Sequence, residues 1–217
     1  MDRRPAVHRI IVIVDVERFG DPRRTNWQQI GIREGLYRAV QDAFSNAGIP
    51  WDSCDHEDRG DGIFILVPAG VPKSLLAESL PPALAAALQD HNGKHRGQQP
   101  TRLRMVLHAG EVNYDEHGVT GKSVNLAFRL LDAPQPRAAL ARRAGLLAVI
   151  VSSWFFEDVT VRIWQCLEKG ARRMSPPGAR TLNDTAGRRG PKVVLRQQKS
   201  YKILSGLNVL VEQSPAG

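Results

Sequence analysis

Two carboxylates, Asp15 and Asp61, each border a strongly apolar stretch, in IIVIVDVERF and RGDGIFILV. An apolar strand does not carry an unpartnered charge without cost, and a buried carboxylate is tolerated when it is paired or bound to metal. Two acids at neighbouring strand ends can hold hard divalent cations against a triphosphate, so the chemistry suggested is phosphoryl transfer. Taken singly, Asp15 reads equally well as a strand-end residue or a helix cap. Asp61 belongs to an Asp-Gly pair between apolar runs, which is a hairpin signal in its own right. A third segment, GVTGKSVNLAFRLLDAP, adds Asn125 and Arg129 four residues apart on a predicted helix, and hence on one face.

These segments occur in the order and at the distances of a known family. Across residues 8 to 155 the chain resembles the class III nucleotidyl cyclases, the adenylyl and guanylyl cyclase superfamily, in the manner of a bacterial stand-alone catalytic domain. The resemblance rests on Asp15 with Phe19 four residues later, on the Gly60-Asp61-Gly62 hairpin, and on the helix motif Val124-Asn125-Leu126-Ala127-Phe128-Arg129. Between the last two lies LRMVLHAGEV, similar to the family's strand that ends in a His-x-Gly turn.

The resemblance implies a reaction and a division of labour. A ribose 3′-hydroxyl attacks the α-phosphate in line and pyrophosphate leaves, with two Mg2+ or Mn2+ ions per site neutralising charge. Asp15 and Asp61 would bridge the metals and the Val16 backbone carbonyl would add a ligand. The turn amides of Arg18, Phe19 and Gly20 would cradle the terminal phosphates as an anion nest. Arg129 would stabilise the α-phosphate and Asn125 would orient the ribose. In the relatives the acids and the Asn/Arg pair come from different subunits, so a homodimer with two symmetric sites is expected. The family's base-reading positions fall on Glu57, as in guanylyl enzymes, and on Gly118, which offers no side chain. That incomplete purine code leaves open a pyrimidine product of the kind made by the antiphage Pycsar cyclases.

The elements that must position these residues can be read from periodicity. Residues 9 to 15 form a β-branched run, and NWQQIGIREGLYRAVQDAFSNAG has helical spacing closed by Gly48. Residues 52 to 67 read as a hairpin around Arg59 to Gly62, and VPKSLLAESLPPALAAALQDHN as a helix kinked or restarted at Pro81-Pro82. LRMVLHAGEV and LLAVIVSS are further core strands, separated by a helix from Gly121 to Leu131 and followed by a short helical or turn segment, WFFEDV. The alternation gives an α+β fold, which the resemblance sharpens to a ferredoxin-like cyclase core with a mostly antiparallel central sheet and flanking helices.

The 217 residues, 42% hydrophobic and 24% charged, suit one soluble domain with a tail. No apolar run is long enough to span a membrane and MDRRPAVHRI carries no signal-peptide core, so a cytoplasmic location is expected. The net charge of +8 is unevenly spread: residues 1 to 159 hold 19 Lys/Arg and 19 Asp/Glu, whereas residues 160 to 217 hold 11 and 3. Residues 1–159 are read as the cyclase-like domain and 160–191 as a basic linker. Residues 192–217 are read as a segment with two apolar runs able to complete strands. Nucleic-acid binding by that tail is disfavoured, because aromatics are not interleaved among its basic residues.

Cys54 and Cys166 lack metal or disulfide spacing. His91 and His95 stand four apart, but Gly93 is expected to break their helix and no third ligand is near. His108, Trp154, Phe155 and Phe156 read as core or turn residues. Gly20 stands where many relatives have Thr, and the family's closing triphosphate lysine is not recognisable, Lys199 and Lys202 being the available residues. An alternative to an active enzyme is a catalytically degenerate cyclase-like domain that binds nucleotide or a partner. The complete Asp/Asp/Asn/Arg set favours the enzyme.

Overall fold

The run VHRIIVIVDV alternates between two apolar faces, and that alternation sets the architecture. Strand β1 (Val7–Val16) sends Ile10, Val12, Val14 and Val16 into one hydrophobic cluster and Ile11 and Ile13 into another. A strand covered on both sides needs no polar alternation, which is why it reads as continuous β-branched sequence. The computed structural model describes residues 5–95, 99–134, 137, 140, 145–157, 159 and 208–211. The basic linker, Cys166, Lys199 and Lys202 lie outside the described residues.

Along the chain β1 is followed by α1 (Asn26–Asn46), β2 (Asp55–Asp58), β3 (Gly62–Pro68), α2 (Leu80–Lys94) and β4 (Leu103–Asp115). Then come β5 (Gly118–Thr120), α3 (Lys122–Asp132), β6 (Leu147–Val151) and β7 (Asn208–Val211). The sheet order is β2-β3-β1-β4-β6-β7, with β5 paired to β4. The pairings β1–β3, β1–β4, β2–β3 and β4–β5 are antiparallel, whereas β4–β6 and β6–β7 are parallel. The run β1-α1-β2-β3-α2-β4 with spatial order β4-β1-β3-β2 is the split βαβ pattern of a ferredoxin-like core. The fold is thus α+β with a mostly antiparallel sheet and flanking helices.

Helices α1 and α2 cover one face. Helix α1 starts at a capping box in which Thr25 and Gln28 satisfy each other's backbone amides. It buries Leu36, Ala39, Val40, Ala43 and Phe44, and ends before Gly48 at φ 71°. Its Gly35 is a close-approach residue: a Cβ there would stand 2.2 Å from His91 Cε1, so the glycine seats that imidazole in the α1–α2 seam. Pro81 and Pro82 cannot donate to the preceding turn. The chain accommodates them with a wide π turn over Leu75–Ser79, in which the Leu80 amide donates to the Leu75 carbonyl.

Two expectations are corrected. Gly93 does not end the helix, which runs to Lys94, and the His91 and His95 rings lie tilted to one another with centroids 4.4 Å apart. A single glycine near a helix end costs only about 1 kcal/mol, and packing overrides it. Among the described residues no trio of His, Cys, Asp or Glu is placed to hold a metal there or elsewhere. Trp154 is not core: it is 49% exposed, with the Lys73 ammonium over its ring at 4.4 Å, whereas Phe155 is fully buried.

Helix α3 covers the opposite face with Val124, Ala127, Leu130 and Leu131, a stripe whose larger members stabilise the docking by roughly 1.5–3 kcal/mol each. No helix among the described residues is long and apolar enough to cross a membrane.

His108 on β4 is buried, with Nδ1 2.8 Å from the Ser152 hydroxyl. Burial, and secondarily the charge of His8, push its pKa down to about 4. The folded state therefore favours neutral His108, a contribution present above the ordinary value of 6.5 and lost as pH falls from there through about 4. His108→Gln is expected to flatten the decline in melting temperature across that window. An unchanged slope in a thermal-melt series would assign the acid sensitivity elsewhere.

Candidate active site

Strand parity decides where Asp15 points. It follows Ile11 and Ile13 on the α3 face of β1, and its antiparallel neighbours in register are Gly62 on β3 and Arg104 on β4. Arg104 shares the parity of Val106, so acid and guanidinium meet side by side across the strands. The pair is bidentate: Nε donates to Oδ1 at 2.7 Å and an Nη to Oδ2 at 2.5 Å. Both residues are buried. The other Nη donates to the Leu131 carbonyl at 3.3 Å, fastening the end of α3. Gly62 opposite must be a glycine, because a Cβ would lie 2.5 Å from the Val14 carbonyl oxygen and 3.0 Å from Asp15 Cβ.

Arg104 is the partner that the sequence reading did not supply. Its signal was a single arginine in the apolar strand LRMVLH, legible only once the β1–β4 register is known. The charge on Asp15 is therefore met by an arginine, and a divalent cation is not needed to explain its burial.

A cavity of about 630 Å³ opens at this end of the sheet, lined by Val16, Glu17, Arg18, Phe19, Gly20, Asp61, Arg104 and Arg137. Two of its walls are turns. The turn after β1 passes through Arg18 at φ 54°, a left-handed conformation that costs a non-glycine residue about 1–2 kcal/mol. The Arg18 carbonyl is held by the Asp21 amide at 3.1 Å and by the Arg24 guanidinium at 2.9 Å. The amides of Arg18, Phe19 and Gly20 donate to no acceptor among the described residues. The second turn carries Asp61 and is tied to the first by the Val16 amide, which donates to the Asp61 carbonyl at 2.9 Å.

The donor set bears on whether metal fits. Burial raises the Asp15 pKa against the opposing pull of Arg104, and the nearby Asp61 charge raises it further. The Asp61 carboxylate makes no hydrogen bond or ion pair among the described residues. Arg104 is committed to Asp15, on which Arg137 also acts, and Asp61 is left without a partner among the described residues. Arginines line the cavity as well, and what remains for a hard cation is the unpaired Asp61 carboxylate, an oxygen donor of the kind Mg2+ takes beside water and phosphate oxygens.

Asn125 and Arg129 do not join this cavity. Both are exposed on the outer face of α3, with no side-chain partner among the described residues. Glu57 and Gly118 do come together: a Cβ on Gly118 would lie 3.6 Å from Glu57 Oε1. Gly118 has φ 126° at the exit of the β4–β5 hairpin, so its missing side chain is a backbone requirement. Glu57 is engaged by a residue the sequence reading passed over. An Nη of Arg59 donates to it at 2.7 Å, and the guanidinium lies over the rings of Phe64 and Phe128 at 5.3 and 5.2 Å.

No family model matches the sequence, and no curated protein matches it. Solved structures do match. The guanylyl cyclase Cya2 shares 22% identity over 60% of this chain and 72% of its own, with a TM-score of 0.47. An adenylate/guanylate cyclase/hydrolase from Silicibacter pomeroyi shares 18% over 73% and 84%, also with a TM-score of 0.47. The guanylate cyclase domain of RhGC from Catenaria anguillulae, in complex with GTP, shares 15% over 58% and 73%, with a TM-score of 0.40. These are cyclase catalytic domains.

The two acids differ in what removing them exposes. Asp15→Asn leaves the buried Arg104 without its counter-charge and is expected to cost about 3–5 kcal/mol. Asp61→Asn removes a partly exposed, unpaired charge and is expected to stay within about 0.5 kcal/mol of the parent protein. Urea denaturation of the two variants measures the difference. Equal stabilities would mean that Arg104 does not depend on Asp15.

Proposed function

We propose that this chain is a nucleotidyl cyclase that converts a ribonucleoside triphosphate to a 3′,5′-cyclic nucleotide and pyrophosphate at a site shared by two copies, for second-messenger signalling. The observation that carries the reading is the convergence of Asp61 and three undonated turn amides on one cavity at the end of the strand that carries buried Asp15, together with an exposed, unpartnered Asn125/Arg129 pair on α3. Mg2+ or Mn2+ held by Asp15, Asp61 and the Val16 carbonyl would supply acidification of the attacking hydroxyl and neutralisation of phosphate charge.

The chain's own groups do the rest. The amides of Arg18, Phe19 and Gly20 bind the terminal phosphates, an anion nest pre-formed by the left-handed Arg18. Arg137, at the cavity wall, adds positive charge to the same region. Arg129 of a second copy donates its planar fork to the α-phosphate oxygens, where charge grows as the bond to pyrophosphate breaks. Asn125 of that copy holds the ribose so that its 3′-oxygen lies in line with the leaving group. Glu57, beside Gly118, faces the base.

Incubating the protein with each of the four ribonucleoside triphosphates and Mn2+, followed by mass spectrometry, is expected to yield a cyclic monophosphate. Asp61→Asn is expected to lower turnover at least tenfold with the fold intact, and a variant that retains more than a tenth of the activity would remove Asp61 from the site. No cyclic product from any of the four would leave the degenerate, nucleotide-binding reading.

A shared site makes a second demand. Mixing inactive Asp61→Asn with inactive Arg129→Ala is expected to restore activity, since each mixed dimer holds one site with all four groups. Subunit exchange confirmed by native mass spectrometry without recovery of turnover would place the site within one chain.

A further inference from the structure

Asp61 reaches the cavity on a tight turn, and the structure shows what holds that turn. Arg33 of α1 points its guanidinium at it. One Nη donates to Asp58 Oδ1 at 3.1 Å and also to the Gly60 carbonyl, and the other Nη donates to Asp58 Oδ2. Asp58 in turn accepts from the Gly60 amide at 2.7 Å. Gly60 has φ 82°, and the next residue is Asp61.

The arrangement exceeds what an exposed ion pair explains. The side chains of Arg33 and Asp58 are 32% and 47% exposed, and a pair of that exposure adds at most about 1 kcal/mol to stability. Yet the guanidinium grips both the strand end and the carbonyl inside the turn, and the acid it holds reaches back to the same glycine. The contacts converge on the residue before Asp61 from one side, while the Val16 amide fixes the Asp61 carbonyl from the other. The side chain of Asp61 has no partner of its own among the described residues, so its direction is set by the backbone that carries it.

We infer that Arg33, acting through Asp58 and Gly60, is a positioning residue that fixes the Asp61 carboxylate for cation binding. The inference rests on the proposed role of Asp61 as a metal-holding acid. Partners that orient metal ligands typically change affinity by about 10- to 100-fold when removed.

The test uses Mn2+ alone with the full chain, reading bound against free ion by electron paramagnetic resonance. Arg33→Ala and Asp58→Asn are each expected to weaken Mn2+ binding at least tenfold. The double variant is expected to be no worse than either single one, since both break the same network. Arg33→Lys, which keeps the charge and loses the fork, is expected to fall between and guards against a folding defect in the alanine variant. Hydrogen exchange is expected to speed up at the amides of residues 60–62 while the protection of β1 is unchanged.

Mn2+ affinity in Arg33→Ala within twofold of the parent protein overturns the inference, as does a parent protein that binds no Mn2+. A parent protein that binds Mn2+, loses it in Arg33→Ala, and makes no cyclic product would uphold the positioning role while defeating the cyclase reading.

Discussion

Asp15 and Arg104 meet side by side on the buried face of the central sheet, and the candidate site is organised around that pair. Burying two charges is costly, and such a pair is a weak source of stability compared with apolar residues of the same volume. Its cost does other work here. It fixes β1 against β4 at the strand end where the cavity opens, and it fastens the Leu131 carbonyl, so the end of α3 is held to the same point. It also explains Gly62, since the third strand must come close to Asp15 without a side chain. Burial still holds the Asp15 carboxyl above the usual range, so the guanidinium does not fully compensate it.

Around this pair both turns of the cavity are held from outside by arginines. Arg24 donates to the carbonyl of Arg18 in one turn, and Arg33 grips Asp58 and Gly60 in the other. Neither guanidinium lines the cavity. Turns are otherwise the least ordered parts of a fold. Geometry within about 0.5 Å is needed to orient ligands for catalysis, and a scaffold of strands supplies it only where the turns are tied back to rigid elements. Arg33 stands inside a capped, 21-residue helix, which is such an element.

What the sequence made legible was mainly what depends on local period. The β-branched run of β1, the helical spacing of α1 and α3, and the Asp-Gly turn all appear where expected, because each is decided within ten or twenty neighbouring residues. Asp61 follows from its turn and Asn125/Arg129 from helical spacing. The partners of these residues were not legible. Arg104 lies 89 residues from Asp15 and Arg33 lies 25 from Asp58, and an arginine in an unpaired strand or helix gives no sign of which acid it will meet. Gly118 carries a constraint the sequence did not display: at φ 126° its lack of a side chain also suits the backbone of the β4–β5 hairpin. Gly93 misled because tertiary packing of α2 outweighs a glycine's modest helix penalty.

The placement of α3 bears on how the four proposed functional residues can act together. The helix has 11 residues and so is about 16 Å long, with Val124, Ala127, Leu130 and Leu131 committed to the sheet. Side chains at Asn125 and Arg129 leave the helix on the other side, away from the surface that roofs Asp15. Turning them into the cavity would require α3 to roll about its axis, withdrawing its apolar stripe and tearing Arg104 from Leu131. The stripe alone is worth several kcal/mol, which a ligand would have to return in differential affinity for the rolled state. A rigid second copy bringing its own α3 to the open cavity needs no such cost. The same packing that docks α3 on the sheet therefore leaves Asn125 and Arg129 facing outward, as the proposed shared site requires.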